Sequence, residues 1–175
     1  MKKDGIGGSN TTTGAAFEKK VVLATLLSMQ KGYSVKDNNV YFNQNLIARL
    51  CKKHGFYEFL EENNIQWDKI ISKQMFPDDA IYVINSNTMF IIEYKFQQVS
   101  GSVDEKLRSC DFKKKQYSKL LFPSIRVEYI FLLSDWFRQT KYKDDLEYIN
   151  STGCHYFFED QYQPLLKLLG LHYLT

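Results

Sequence analysis

The chain has 175 residues, of which 44% are hydrophobic and 15% aromatic. This composition excludes an intrinsically disordered protein and predicts one folded domain around a single core. The 23 basic and 20 acidic side chains give a formal charge of +3, which permits a polyanionic partner without requiring one.

The sequence contains no N-terminal apolar leader and no apolar run long enough to span a bilayer, so neither export nor membrane insertion is expected. Cys51, Cys110 and Cys154 are odd in number and far apart, and the three histidines are scattered. The sequence therefore predicts free thiols in a reducing cytoplasm, and it argues against a zinc site.

The glycine-rich segment 1–13, "MKKDGIGGSNTTT", is typical of an N-terminal arm, either mobile or ordered by contacts with phosphate. The folded domain is then expected to span 14–175. Apolar spacing predicts a first helix over Gly14–Gly32, with Glu18 in its first turn. A short hairpin about Asp37 is expected next.

The segment 45–64, "NLIARLCKKHGFYEFLEENN", is predicted as one or two helices interrupted at Gly55. Two strands follow, at Ile81–Ile84 and Thr88–Phe96, joined by a tight turn. A capping-box pattern, Ser102 with Glu105, predicts the start of a further helix.

An apolar run of eight residues, Val127–Ser134, is typical of a buried central strand. Strand, helix and strand in this order predict a parallel pair joined by a crossover. A last strand is expected at 154–159 and a last helix at 163–171. The predicted fold class is α/β, a single domain with a central mixed β-sheet flanked by helices.

Polar residues interrupt the apolar pattern of the two strands near the middle of the chain. Because strand side chains alternate in direction, Glu93, Lys95 and Gln97 should share one face of their strand. Asp78 and Asp79 precede the neighbouring strand, and pairing through the short turn would bring one of them beside Glu93.

Two adjacent carboxylates repel each other unless a cation lies between them or one of them is protonated. Oxygen ligands alone suit Mg²⁺, or Mn²⁺ in its place, and such an ion can assist phosphodiester hydrolysis. The alternative is an ordinary solvent-facing Glu–Lys pair, since E-x-K occurs by chance in many proteins.

The segment Pro77-Asp78 followed by Glu93-Tyr94-Lys95 resembles the motif of the PD-(D/E)XK nucleases, and among them the type II restriction endonucleases. The predicted order helix, strand, strand, helix, strand is similar to their common core. Glu18 is similar to an acidic residue that many members carry in the first helix.

The resemblance implies a Mg²⁺-dependent endonuclease that cleaves double-stranded DNA. It implies that Asp78, Glu93 and the backbone carbonyl of Tyr94 are the metal ligands and that Lys95 is the catalytic lysine. Asp78 is favoured over Asp79 because the family places the acid directly after proline. Gln97 could bind a phosphate or support Lys95.

Three consecutive lysines, Lys113, Lys114 and Lys115, lie in the helix that follows the motif and are candidates for contact with the DNA backbone. Cleavage of both strands by so small a chain favours a homodimer. The alternatives are another nuclease with the same core, such as a junction resolvase, a homing endonuclease, or a phage or repair nuclease, or a non-catalytic nucleic-acid-binding domain.

Overall fold

The computed structural model describes residues 22–97 and 103–171. The predicted arm 1–13, the first-turn residue Glu18 and the capping serine Ser102 lie outside the described residues. Within those two ranges, no helix combines the length and the apolar character needed to cross a membrane.

The centre of the molecule is a mixed sheet of seven strands in the order β1-β2-β3-β4-β5-β6-β7. Neighbours from β1 to β5 pair antiparallel, whereas β5, β6 and β7 are parallel. The predicted α/β class and the parallel pair are therefore confirmed. The strands are β1 Tyr33–Lys36, β2 Asn39–Phe42, β3 Asn45–Leu50, β4 Asp79–Val83, β5 Thr88–Lys95, β6 Arg126–Leu133 and β7 His155–Phe158.

Helices cover both faces of this sheet. On one face, α2, α4 and α5 contribute apolar side chains to the larger core; on the other, α1 and α6 do so. The helices are α1 Leu23–Ser28, α2 His54–Glu62, α3 Val103–Leu107, α4 Cys110–Leu121, α5 Lys143–Ser151 and α6 Tyr162–Leu168, with 3-10 turns at Trp67–Lys69, Asp135–Arg138 and Thr140–Tyr142.

The hairpin predicted about Asp37 is formed by β1 and β2. Asp37 and Asn38 both have positive φ, at 49° and 64°. Two central residues with positive φ match the right-handed twist of the flanking strands, and Asp and Asn tolerate this conformation better than most residues. The described part of the predicted first helix, α1, ends at Ser28 rather than at Gly32.

The helix predicted from residue 45 is wrong for its first part, because β3 occupies Asn45–Leu50. This strand pairs with β2 on one side and with β4 on the other, and those ladders override the weak helix preference of Leu, Ala and Arg. The helix begins instead at His54, and Gly55 lies within its first turn rather than interrupting it.

The single helix predicted after the motif is broken into α3 and α4 at Arg108 and Ser109. The strands predicted at Val127–Ser134 and 154–159 are confirmed to within one residue. All three cysteines are free thiols, as predicted, and all three are buried.

Glu128 on β6 is a buried carboxylate surrounded by basic side chains. Lys114 Nζ lies 2.9 Å from its Oε2, Arg126 Nε 2.9 Å from its Oε1, and His155 Nε2 3.5 Å from its Oε2. Burial alone would raise the pKa of Glu128, but hydrogen bonds from these three residues outweigh it and lower the pKa to about 2. The ion pairs connect α4 to the edge of the sheet where β7 begins.

We expect Glu128→Gln to lower the free energy of unfolding by about 1–3 kcal/mol at pH 7, since the charged hydrogen bonds are lost. The pKa of Glu128 is depressed in the folded protein, so this contribution is complete above the unfolded value and is lost as the pH falls through about 4 toward 2. Urea denaturation at pH 7, 4 and 3 should show the gap between wild type and variant closing. A gap that is constant with pH would contradict the assignment.

Candidate active site

The antiparallel register of β4 and β5 determines which acidic residues meet. Asp79 pairs with Ile92, so Asp78, the residue before β4, stands opposite Glu93. The Tyr94 amide N–H donates to Asp78 Oδ2 at 3.0 Å and fixes that carboxylate beside the C-terminal end of β5. The structure therefore brings Asp78, Glu93 and Lys95 together on the sheet face covered by α2 and α4.

The Lys95 ammonium lies among three oxygen atoms. Its Nζ donates to Glu93 Oε2 at 2.9 Å and to the Tyr94 carbonyl oxygen at 3.2 Å, and it lies 3.8 Å from Asp78 Oδ2. The side chain is only 13% exposed, and the Phe131 ring centroid lies 5.7 Å from Nζ. One positive charge is thus shared by the two carboxylates and the carbonyl group.

Glu93 also accepts a hydrogen bond from Lys113, whose Nζ lies 3.0 Å from the same Oε2 atom. Glu93 is only 5% exposed, and burial by itself would raise its pKa. The charges and hydrogen bonds of Lys95 and Lys113 outweigh burial and hold the pKa of Glu93 below its ordinary value. The carboxylate therefore remains ionised at neutral pH.

Asp79 lies on the opposite face of the sheet from Glu93. Its Oδ2 accepts hydrogen bonds from the Tyr94 hydroxyl at 2.9 Å and from the Leu23 amide at 3.4 Å, and its Oδ1 accepts from the Ala80 amide at 3.0 Å. Burial raises the pKa of Asp79, against the opposing effect of the Tyr94 hydrogen bond. Tyr94 thus binds Asp79 through its side chain and Asp78 through its backbone.

Gln97 lies two residues beyond the end of β5 and is buried. Its amide N–H donates to Ser134 Oγ at 3.2 Å, and the Ser134 hydroxyl donates to the Gln97 carbonyl at 3.3 Å. These bonds attach the chain after β5 to the end of β6. Glu18 lies outside the described residues.

The three consecutive lysines point in different directions, as the 100° step of a helix requires. Lys113 reaches Glu93, Lys114 binds Glu128 and the Gly153 carbonyl, and Lys115 pairs with Asp111 on the exposed side of α4. Sequence reasoning did not anticipate that Lys113 belongs to the site. The available signal was the spacing of this helix. Lys113 lies three residues after Cys110 and four before Tyr117, so the three side chains share one helix face. Cys110 and Tyr117 are both buried, and Lys113 is therefore on the face that packs against the sheet.

The donor set fits a hard divalent cation. Asp78 Oδ2, Glu93 Oε2 and the Tyr94 carbonyl oxygen already surround one cationic group, the Lys95 ammonium, and oxygen ligands are those that Mg²⁺ and Mn²⁺ prefer. Over the ranges 22–97 and 103–171, no three His, Cys, Asp or Glu side chains cluster in a way that could hold a metal ion. Two carboxylates completed by a backbone carbonyl do not depend on such a cluster.

A family model described as a PD-(D/E)XK nuclease superfamily domain matches residues 9–117, which is more than half of the chain. The chain belongs to this superfamily. Members generally use divalent metal ions and act on nucleic acid, so the membership supports a nuclease. The matched segment ends within α4 and includes the Asp78, Glu93 and Lys95 positions. No curated protein and no solved structure matches the chain significantly.

We expect Tyr94→Phe to lower the free energy of unfolding by about 1–2 kcal/mol, because the buried Asp79 carboxylate loses its hydroxyl donor. Tyr129→Phe is the matched control: its hydroxyl is buried and has no hydrogen-bond partner among the described residues. Its removal breaks no hydrogen bond and relieves the burial of an unpaired polar group, so the free energy of unfolding should stay unchanged or rise by up to about 1 kcal/mol. Urea denaturation of both variants measures the two free energies of unfolding. An equal loss of stability in Tyr94→Phe and Tyr129→Phe would contradict the role of the Asp79–Tyr94 hydrogen bond.

Proposed function

We propose that the protein is a Mg²⁺-dependent endonuclease that hydrolyses phosphodiester bonds of double-stranded DNA, and specifically a type II restriction endonuclease. The observation that carries the proposal is the convergence of Asp78, Glu93 and the Tyr94 carbonyl around one cationic group at the end of β5. Membership of the nuclease superfamily supports the reaction class. The restriction role rests on the resemblance of Pro77-Asp78 and Glu93-Tyr94-Lys95 to the motif of the type II restriction endonucleases.

Asp78 and Glu93, with the Tyr94 carbonyl, would hold the metal ion. When bound, the ion supplies positive charge that offsets the charge developing on the phosphate oxygens, and it increases the acidity of water. The low pKa of Glu93 keeps this ligand ionised at neutral pH without prior loss of a proton. The Tyr94 amide N–H donates to Asp78 Oδ2 and would orient this carboxylate toward the ion.

Lys95 would act on the reacting phosphate or on the attacking water. It is largely buried, and the Phe131 ring beside its ammonium limits where the group can move. From this position the ammonium can orient water, or stabilise the additional negative charge of the transition state. Gln97 would bind a phosphate oxygen or support Lys95, and Glu18 would add an acidic group from the first helix.

The proposal includes a homodimer, because the two-fold symmetry of a dimer matches a palindromic site and places one catalytic centre on each strand. It also includes a cytoplasmic location, for which the three free thiols are the supporting observation. Mn²⁺ is expected to substitute for Mg²⁺, since both accept oxygen ligands.

Asp78→Asn, Glu93→Gln and Lys95→Met should each reduce the Mg²⁺-dependent cleavage rate by at least about 100-fold, because each removes a charge that acts at the phosphate. Supercoiled plasmid conversion under single-turnover conditions measures the rate. Glu147→Gln is the control: this exposed carboxylate pairs with Lys143 on α5, and its loss should leave the rate unchanged. Full activity in all three site variants would overturn the catalytic assignment.

Digestion of a long unmethylated linear DNA with Mg²⁺, followed by sequencing of the fragment ends, tests the restriction role. We expect discrete fragments whose ends share one motif. A smear of fragments would instead indicate a non-specific or structure-selective nuclease on the same core. Absence of cleavage of this DNA and of branched or single-stranded substrates would favour a nucleic-acid-binding domain.

A further inference from the structure

Two lysines from different elements donate to a single oxygen atom of Glu93. Lys95 comes from the same strand and lies 2.9 Å from Oε2, and Lys113 comes from α4 and lies 3.0 Å from it. With Asp78, the site contains two carboxylates and two ammonium groups, whose formal charges balance without a metal ion. A divalent cation that binds Glu93 must therefore displace positive charge.

We propose that Lys113 is the group displaced: it neutralises Glu93 in the cation-free protein, leaves when a divalent cation binds, and then contacts a phosphate of the nucleic acid. Cation binding and polyanion binding would thus be coupled through this one side chain. The inference rests on the proposed function, because it assumes that Glu93 is a metal ligand.

The contacts of the two lysines indicate which one leaves. Lys95 is 13% exposed, donates also to the Tyr94 carbonyl and packs near the Phe131 ring. The Lys113 side chain is 30% exposed, and its one polar contact within residues 22–97 and 103–171 is Glu93. Moving Lys113 toward solvent therefore breaks one hydrogen bond and requires no repacking of the core.

The position of Lys113 also suits a phosphate partner. Its ammonium already lies at the edge of the site, and its long side chain can reach outward from α4 without leaving the neighbourhood of Glu93. Once a divalent cation neutralises the carboxylates, the region has a positive charge that attracts the nucleic-acid backbone. A free ammonium beside the cation adds a further phosphate contact.

A purely structural role for Lys113 makes the opposite prediction for metal affinity. If Lys113 only holds Glu93 in a productive position, its removal weakens cation binding. If it competes with the cation for Glu93 Oε2, its removal strengthens cation binding. The sign of the change therefore separates the two roles without a measurement of catalysis.

The first measurement is Mn²⁺ binding to the full chain without nucleic acid. Binding is monitored through the decrease of the electron paramagnetic resonance signal of free Mn²⁺. Lys113→Met should bind Mn²⁺ about three- to tenfold more tightly than wild type, the range of a partly exposed ion pair at a metal ligand. Lys143→Met is the matched control, since it also removes an ammonium group that pairs with a carboxylate, in this case Glu147 on the exposed side of α5. It should change the affinity by less than about twofold.

The second measurement is the binding of a fluorescent DNA duplex at low salt, with and without Ca²⁺, with a gel to verify that the duplex stays intact. Ca²⁺ should strengthen binding by wild type and by Lys143→Met to the same degree. In Lys113→Met the Ca²⁺-induced gain should fall by about three- to tenfold, because the coupling between the two ligands is reciprocal. Lys113→Arg keeps the charge and should retain most of the gain.

The inference is overturned, with the proposed metal centre intact, if wild type binds Mn²⁺ through Glu93 but Lys113→Met binds it no more tightly than Lys143→Met does. An unchanged Ca²⁺ gain in Lys113→Met overturns it equally. If wild type binds no Mn²⁺, or if Glu93→Gln binds it as well as wild type does, both the metal centre and the coupling are wrong. Circular dichroism melting of each variant verifies that the proteins compared are folded.

Discussion

The burial of Glu93 is the constraint on which the arrangement of the site depends. A carboxylate with 5% exposure stays ionised only if nearby positive charge and hydrogen bonds replace the water it has lost. Lys95 supplies one such group from the same strand, and Lys113 supplies the other from α4. Because α4 is part of the connection between the parallel strands β5 and β6, the crossover that completes the sheet also delivers charge to the site.

Much of this arrangement follows from local sequence patterns. Alternation along β5 predicts that Glu93 and Lys95 share a face and that Tyr94 lies on the other, and the structure has both. The hairpin at Asp37 and the buried strand β6 are equally local, since turn residues and an apolar run identify them. Such features depend on few partners, and a single sequence is sufficient to predict them.

The features that the sequence did not reveal depend on partners distant in the chain. β3 is a strand because β2 and β4 offer hydrogen bonds on both of its edges, although its residues allow a helix. The contact between Lys113 and Glu93 spans 20 residues and requires that α4 pack at a particular rotation against the sheet. The hydrogen bond from Tyr94 to Asp79 requires the register of β4 with β5, which no local pattern states.

The repeated aspartate of Pro77-Asp78-Asp79 bears on how the sheet avoids mispairing. A slip of one residue between β4 and β5 would exchange the faces of the two aspartates, and a carboxylate would still stand beside Glu93. The Tyr94 hydroxyl and the Leu23 amide lie on the other face, and both donate hydrogen bonds to Asp79 in the observed pairing. In the slipped pairing Asp78 would stand opposite Tyr94 on that face, so each face would keep a carboxylate, but Ala80, Ile81 and Val83 would all change faces. The aspartate pair alone would therefore tolerate the slip, and the register depends on the buried apolar residues of β4, because Ile81 and Val83 fill one core and Ala80 the other.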